Sequence, residues 1–189
     1  IEMGIDKEGF CSVIMEGRGL PAKAAFPDSF SYGNEAVETV SYDPEGAKKL
    51  LEESGWKDTD GDGCADKDGQ KLTIDWLTYP TRLEQPKLAE YAQATLKEIG
   101  IDVVVNNTSD HMTYAADGNF DVYVSSTTTA PTGDPEYFFT THCLDSSAVN
   151  NGHYHSDKLE QLEKEMAKTF DTERRSCLLY TSDAADDRI

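Results

Sequence analysis

Asp58-Thr59-Asp60-Gly61-Asp62-Gly63-Cys64-Ala65-Asp66 sets carboxylates at alternating positions of a glycine-bearing loop. Oxygens at loop positions one, three, five and nine, with glycine at six, are how a calcium loop meets a hard cation. Position twelve is Gly69 and not a bidentate Glu, which favours reading Asp58, Asp60, Asp62 and Asp66 as an acidic turn between helix and strand over a calcium site. Further on, His142-Cys143 joins an imidazole to a thiol, and His153-Tyr154-His155 follows. Imidazole suits nickel and thiolate suits softer metals. One such His could complete the coordination of a chelated ion; the bland alternative is packing in loops and on the surface. His111 reads as a helix-surface residue.

Enzyme chemistry has little to stand on. The chain has no Gly-x-Ser-x-Gly, P-loop, His-Glu-x-x-His or Gly-x-Gly-x-x-Gly word, and these supply nucleophiles, phosphate cradles and zinc sites. A metalloenzyme built on His142 and Cys143 is the remaining enzymatic reading. With Cys177 set aside in the C-terminal stretch, Cys11, Cys64 and Cys143 are an odd count without Cys-x-x-Cys spacing, so they give neither a disulfide framework nor a zinc ribbon.

These residues need elements to position them. Residues 1 to 16 read as the back half of a helix, and 17 to 41, with Pro21, Pro27 and Gly33, as a surface excursion. Residues 43 to 55 are a helix with both ends marked. Asp43 caps it, Pro44 fits its first position, Gly55 stops it, and Ala47, Leu50 and Leu51 form its apolar face. A polar turn spans 57 to 70. Leu72 to Tyr79 has strand composition, 84 to 99 is an amphipathic helix stopped by Gly100, and Ile101 to Val105 is a β-branched strand. A short helix over 109 to 117, with Ser109 as its cap, precedes a third strand, Phe120 to Val124. Asp134-Pro135 opens another helix, and 156 to 170 forms one through Leu159, Leu162, Met166 and Phe170. Residues 171 to 175 begin a further helix. Trp56 and Trp76 read as core.

Strand, helix, strand, helix, strand implies an α/β fold with a mostly parallel sheet and flanking helices. Ligands of open α/β sheets collect beyond the carboxyl ends of strands. That rule points to the loop after Val124, Ser125-Ser126-Thr127-Thr128-Thr129-Ala130-Pro131-Thr132-Gly133.

Charge narrows the partners. With 36 acidic against 17 basic residues, the net charge is −19. Such a surface repels phosphate backbones and anionic lipid heads, so nucleic acid is excluded as a partner. No apolar run approaches the roughly 20 residues of a membrane span.

Six words in order resemble the family 5 solute-binding proteins of ABC importers, which carry peptides or nickel. They are Met3 to Glu8, Tyr42 to Trp56, the 86–105 stretch with Glu98-Ile99-Gly100-Ile101, Gly118 to Val122, Ala130 to Pro135, and Asp157-Lys158-Leu159. The resemblance implies one lobe of a two-lobed, type II periplasmic-binding-protein-like fold. Residues 1–175 then read as a partial C-terminal lobe. Cys177 to Asp186 resembles one reading frame of a sequencing adapter, so 176–189 reads as a non-native tail.

The same resemblance implies function. It describes an extracytoplasmic receptor, periplasmic or anchored at the cell surface by lipid, that performs no reaction and passes a small molecule or metal chelate to ABC permease subunits. In peptide-binding members the loop before the Asp-Pro word carries an Asp for the peptide's ammonium. Residues 127 to 133 contain no acid, and a buried ammonium without a partner is costly. The stretch from Thr129 to Phe139 is more like the nickel branch, although that branch places aromatic residues near Thr128 and Thr132. Thr127, Thr128, Thr129, Thr132 and His142 are therefore the expected ligand-binding residues, with nickel or a nickel chelate as cargo. Oligopeptide binding is the alternative, and a calcium-binding extracellular module using the 58–68 loop is the reading from another class.

Overall fold

The computed structural model describes residues 1–30, 39–171, 173–175 and 177–178. They divide into two compact units, one of Ile1–Pro21 with Val40–Ser126 and the other of Ala22–Thr39 with Thr127–Ile189.

The first unit is built on a parallel sheet. Strand β3 (Thr73–Thr78) lies between β4 (Asp102–Asn107) and β5 (Val122–Tyr123), both parallel to it. The register sets Trp76 opposite Val105 on one side and Val122 on the other. Helix α3 (Glu84–Lys97) connects β3 to β4 and buries Ala89, Ala92 and Leu96 against Ile74, Trp76, Ile101 and Val103. Small residues at helical spacing let α3 sit close to the sheet, and Leu96 fills the gap. Burying a leucine of this kind contributes roughly 2 kcal/mol. At the end of α3, Gly100 takes φ +84°, and its carbonyl accepts the Ala65 N–H at 2.7 Å. Asp121 extends the short β5 edge, since its carboxylate accepts the Asp75 N–H at 2.8 Å.

Helix α2 (Pro44–Glu53) starts as its sequence dictates. The Asp43 carboxylate accepts the Gly46 N–H at 2.9 Å, and Gly55 follows at φ +89°. Ala47 is buried and Leu51 packs on the core. Leu50, expected on the same face, is 52% exposed; only part of the expected apolar stripe meets the sheet layer.

Several expectations need correction. Residues 1 to 16 are not one helix. A 3-10 turn (Glu2–Gly4) precedes extended Ile5, then α1 (Lys7–Gly9) runs into a π-turn (Phe10–Ile14). Asp6 caps α1 through the Gly9 N–H, which restarts the helix. The polar stretch from 57 to 70 contains an antiparallel hairpin of β1 (Asp66–Lys67) and β2 (Gln70–Lys71). Trp56 is half-buried, with the Lys67 ammonium 5.9 Å from its ring, and is not core. Helix α4 (His111–Ala116) begins after Asp110, without a cap from Ser109.

In the second unit the regular elements among the described residues are helical. These are α5 (Glu136–His142), α6 (Asp157–Met166) and the helical residues 173–175 and 177–178, the first of which match the further helix expected from 171 to 175. Ser156 caps α6 by accepting the Leu159 N–H at 3.3 Å. Phe26, Phe139, Leu159, Met166 and Leu178 form the core. Phe170 was expected on the apolar face of α6, but the helix ends at Met166 and Phe170 is 92% exposed. Most of the 176–189 tail, with residues 31–38, lies outside the described residues. Leu178 is described and is buried to 3% exposure.

Candidate functional site

The carboxyl edge of the sheet gathers polar and aromatic side chains from several elements of the first unit. Tyr79 follows β3 directly, His111 opens α4, and Tyr123 ends β5. The His111 and Tyr79 rings stack with centroids 4.1 Å apart, and His111 Nδ1 lies 2.7 Å from the Tyr123 hydroxyl. Burial pushes the Tyr123 phenol up, so it stays neutral with a hydrogen to donate. Whichever group donates, the bond fixes the imidazole tautomer and so determines what Nε2 presents.

Ser126 joins this group. Its N–H donates to the Tyr79 hydroxyl at 3.0 Å, and its Oγ accepts from Gln85 Nε2 at 2.7 Å. Two buried side-chain oxygens here, Gln85 Oε1 and Thr78 Oγ1, have no hydrogen-bond partner among the described residues, at 6% and 0% residue exposure. Buried polar atoms are rarely left so. Sequence reasoning missed Tyr79, Gln85, His111 and Tyr123 as site residues. The rule that ligands gather beyond strand ends could have found Tyr79, the first residue past β3.

The expected ligand residues lie in the second unit. Thr127 Oγ1 is 3.0 Å from His142 Nε2, and the His142 ring leans on Phe138 with centroids 5.4 Å apart. The pair forms because α5 carries His142 at its last position, half-buried above Phe138. Burial holds the His142 imidazole below its ordinary pKa, so it is neutral at pH 7, the state a metal requires. Thr128 and Thr132 are exposed, and Thr129 is half-buried. The structure thus brings Thr127 to His142. The Asp134 carboxylate accepts the Glu136 N–H at 3.0 Å just ahead of α5, whose cap position is Pro135 and has no side-chain cap. His155 is paired instead with Asp145 at 2.8 Å, which raises its pKa. His153 is exposed at φ +51°.

In the acidic loop, Asp58, Asp60 and Asp66 bring carboxylate oxygens within 4.8 Å of one another. Asp62 turns instead to Lys71. The same carboxylates serve the turn. Asp58 accepts the Gly61 and Gly63 N–H groups at 2.7 and 2.9 Å, and Asp66 accepts from Thr59 N and Oγ1 at 2.8 and 2.7 Å. The two Thr59 bonds hold Asp66 below the usual carboxylate range.

A parallel sheet flanked by helices, with polar residues at its carboxyl edge, defines an α/β binding-protein lobe of the type II periplasmic class. The family model for bacterial extracellular solute-binding proteins, family 5 Middle, matches residues 1–150, and the chain belongs to that family. It is 28% identical over 172 residues to the nickel-binding protein NikA of Staphylococcus aureus, covering 90% of this chain and 33% of that protein. It is 37% identical over 101 residues to the oligopeptide-binding protein AppA of Bacillus subtilis, covering 52% of this chain and 19% of that one. The crystal structure of Staphylococcus aureus NikA in complex with Ni(L-His)2 superposes with a TM-score of 0.85 at 26% identity, over 99% of this chain and 38% of that one. The chain therefore spans a third or less of the length of the two curated relatives. Among the described residues no helix is long and apolar enough to cross a membrane.

Proposed function

We propose that this chain supplies part of the ligand-binding wall of an ABC-importer receptor whose cargo is nickel or a nickel chelate. The observation that carries the reading is His142, a neutral imidazole 3.0 Å from Thr127 beside a 127–133 loop that has no carboxylate for a peptide's ammonium. Imidazole nitrogen is a fitting donor for nickel. The resemblance to nickel-binding relatives supports the same branch. The protein acts by capture and delivery rather than reaction, outside the cytoplasmic membrane, and hands its cargo to permease subunits. Thr127, Thr128, Thr129 and Thr132 offer hydroxyls to the chelator. Taken by itself, the first unit offers a separate polar group at its sheet edge, Tyr79, His111 and Tyr123 with Gln85 and Ser126, where two buried side-chain oxygens have no partner among the described residues.

Titration calorimetry tests the cargo on a chimaera in which residues 1–175 replace the matching segment of a full-length relative. Nickel with histidine should bind more tightly than a dipeptide or oligopeptide, and His142→Ala should weaken it. Peptide binding with no response to nickel and histidine moves the protein to the oligopeptide branch, which the AppA likeness supports.

A second proposal concerns calcium at the acidic loop. Three converging carboxylates favour it, and a bound ion would share oxygens that already accept backbone amides.

A further inference from the structure

Helix α5 is held at its start by an ion cluster that the ligand reading does not use. The Arg175 guanidinium donates to both Asp134 oxygens at 2.7 and 2.9 Å and to Glu136 at 3.0 Å. It also donates to the Met166 and Thr169 carbonyls at 2.8 and 3.1 Å. One side chain thereby ties the first turn of α5 to the end of α6. Glu163 of α6 lies against the same cluster, 5% exposed, and its Oε1 has no hydrogen-bond partner among the described residues. The charges acting on it are Glu136 from α5, Asp134 from the loop before α5, Arg175 from the helical 173–175 segment and Glu160 from α6 itself.

We infer that Arg175 and Glu163 are positioning residues for the Thr127–His142 pair, and that a proton on Glu163 governs how firmly α5 is held. The positioning role rests on the ligand reading above; the protonation does not. With Glu163 neutral, one guanidinium faces the carboxylates of Asp134 and Glu136. Its protonated carboxyl is then a donor as well as an acceptor in a cluster rich in acceptors. Ionising it puts a third carboxylate, this one buried, against a half-buried cluster whose cation among the described residues is Arg175, and burying an unpaired charge is costly. Burial first, and then the Glu136 carboxylate, push Glu163 up to about 7, with Arg175 opposing them. Hence the switch falls near neutral pH, and α5, with His142 at its far end, loosens as the pH rises.

Carbon-13 NMR of the 189-residue chain, without ligand, tests this. The Glu163 carboxyl carbon should titrate with a midpoint near 7, and the amides of Tyr137 to His142 should shift with the same midpoint. His142 itself titrates lower because burial depresses it, so the two events separate. Glu163→Gln should remove the neutral midpoint from the α5 amides. A carboxyl midpoint below 5, or α5 amides that ignore the Glu163 titration, overturns the inference. If the variant fails to fold, the wild-type carbon titration still decides. Failure of nickel binding leaves this titration untouched, so the two readings fail separately.

Discussion

Nδ1 of His111 lies 2.7 Å from the Tyr123 hydroxyl, while the same imidazole stacks on Tyr79 at 4.1 Å between centroids. A residue that begins a six-residue helix is thus held by the ends of β3 and β5. The bond between two half-buried groups contributes about 1 kcal/mol.

Tyr123→Phe keeps the ring and removes the hydroxyl. Urea unfolding should show a loss of about 1 kcal/mol. A double-mutant cycle with His111→Asn should return a coupling of similar size, since residues in contact are not additive. Strict additivity would mean that the two groups do not interact.

Asp43→Ala removes the side chain that accepts the Gly46 N–H. The expected loss is about 1 kcal/mol, and Asp43→Asn should retain most of the stability because Asn caps nearly as well. Equal losses for the two variants would assign the effect to charge rather than to the cap.

Calcium is tested by linkage. An ion that binds only the folded state stabilises it by about 2.7 kcal/mol at a hundredfold excess over its dissociation constant. The structure selects Asp58, Asp60 and Asp66, so Asp60→Ala with Asp66→Ala should abolish the calcium-dependent rise in melting temperature. Absence of any rise at millimolar calcium leaves these carboxylates as turn acceptors alone.

The elements most legible in the sequence are those whose signals are local. Asp43, Pro44 and Gly55 bound α2 by backbone chemistry that needs no distant contact, and β3 announced itself by composition. The strand–helix–strand order likewise gave the parallel β4–β3–β5 sheet. The hairpin was local too, yet overlooked. Asp68 and Gly69 take φ +53° and +78°, the paired positive values that a tight hairpin turn requires and that Asp-Gly favours. The sheet-edge group was not legible in the same way. Nothing near His111 in sequence indicates that Tyr79 and Tyr123 will hold it, because strand pairing brings them together. The Thr127–His142 contact follows the same logic on a smaller scale, with α5 spanning the gap.

Glu163 gives the last prediction, in which stability is read against pH. Its carboxyl, 5% exposed, is raised from 4.5 to about 7, so the folded protein binds this proton more tightly than the unfolded chain. The resulting stabilisation is fully present below pH 4.5 and is lost as the pH rises to 7. The shift corresponds to roughly 3 kcal/mol. Carboxylates held low, such as Asp66, act in the opposite direction, so the wild-type curve alone mixes the two. Glu163→Gln isolates the effect, because glutamine stays neutral and the other groups largely cancel in the comparison. The variant should gain on the wild type by roughly 3 kcal/mol between pH 4.5 and 8, with most of the change complete by pH 7. Chemical unfolding at a series of pH values measures this directly. A difference that stays flat across the range would mean that Glu163 ionises like an exposed glutamate, and that Arg175 holds Asp134 and Glu136 without any contribution from its proton.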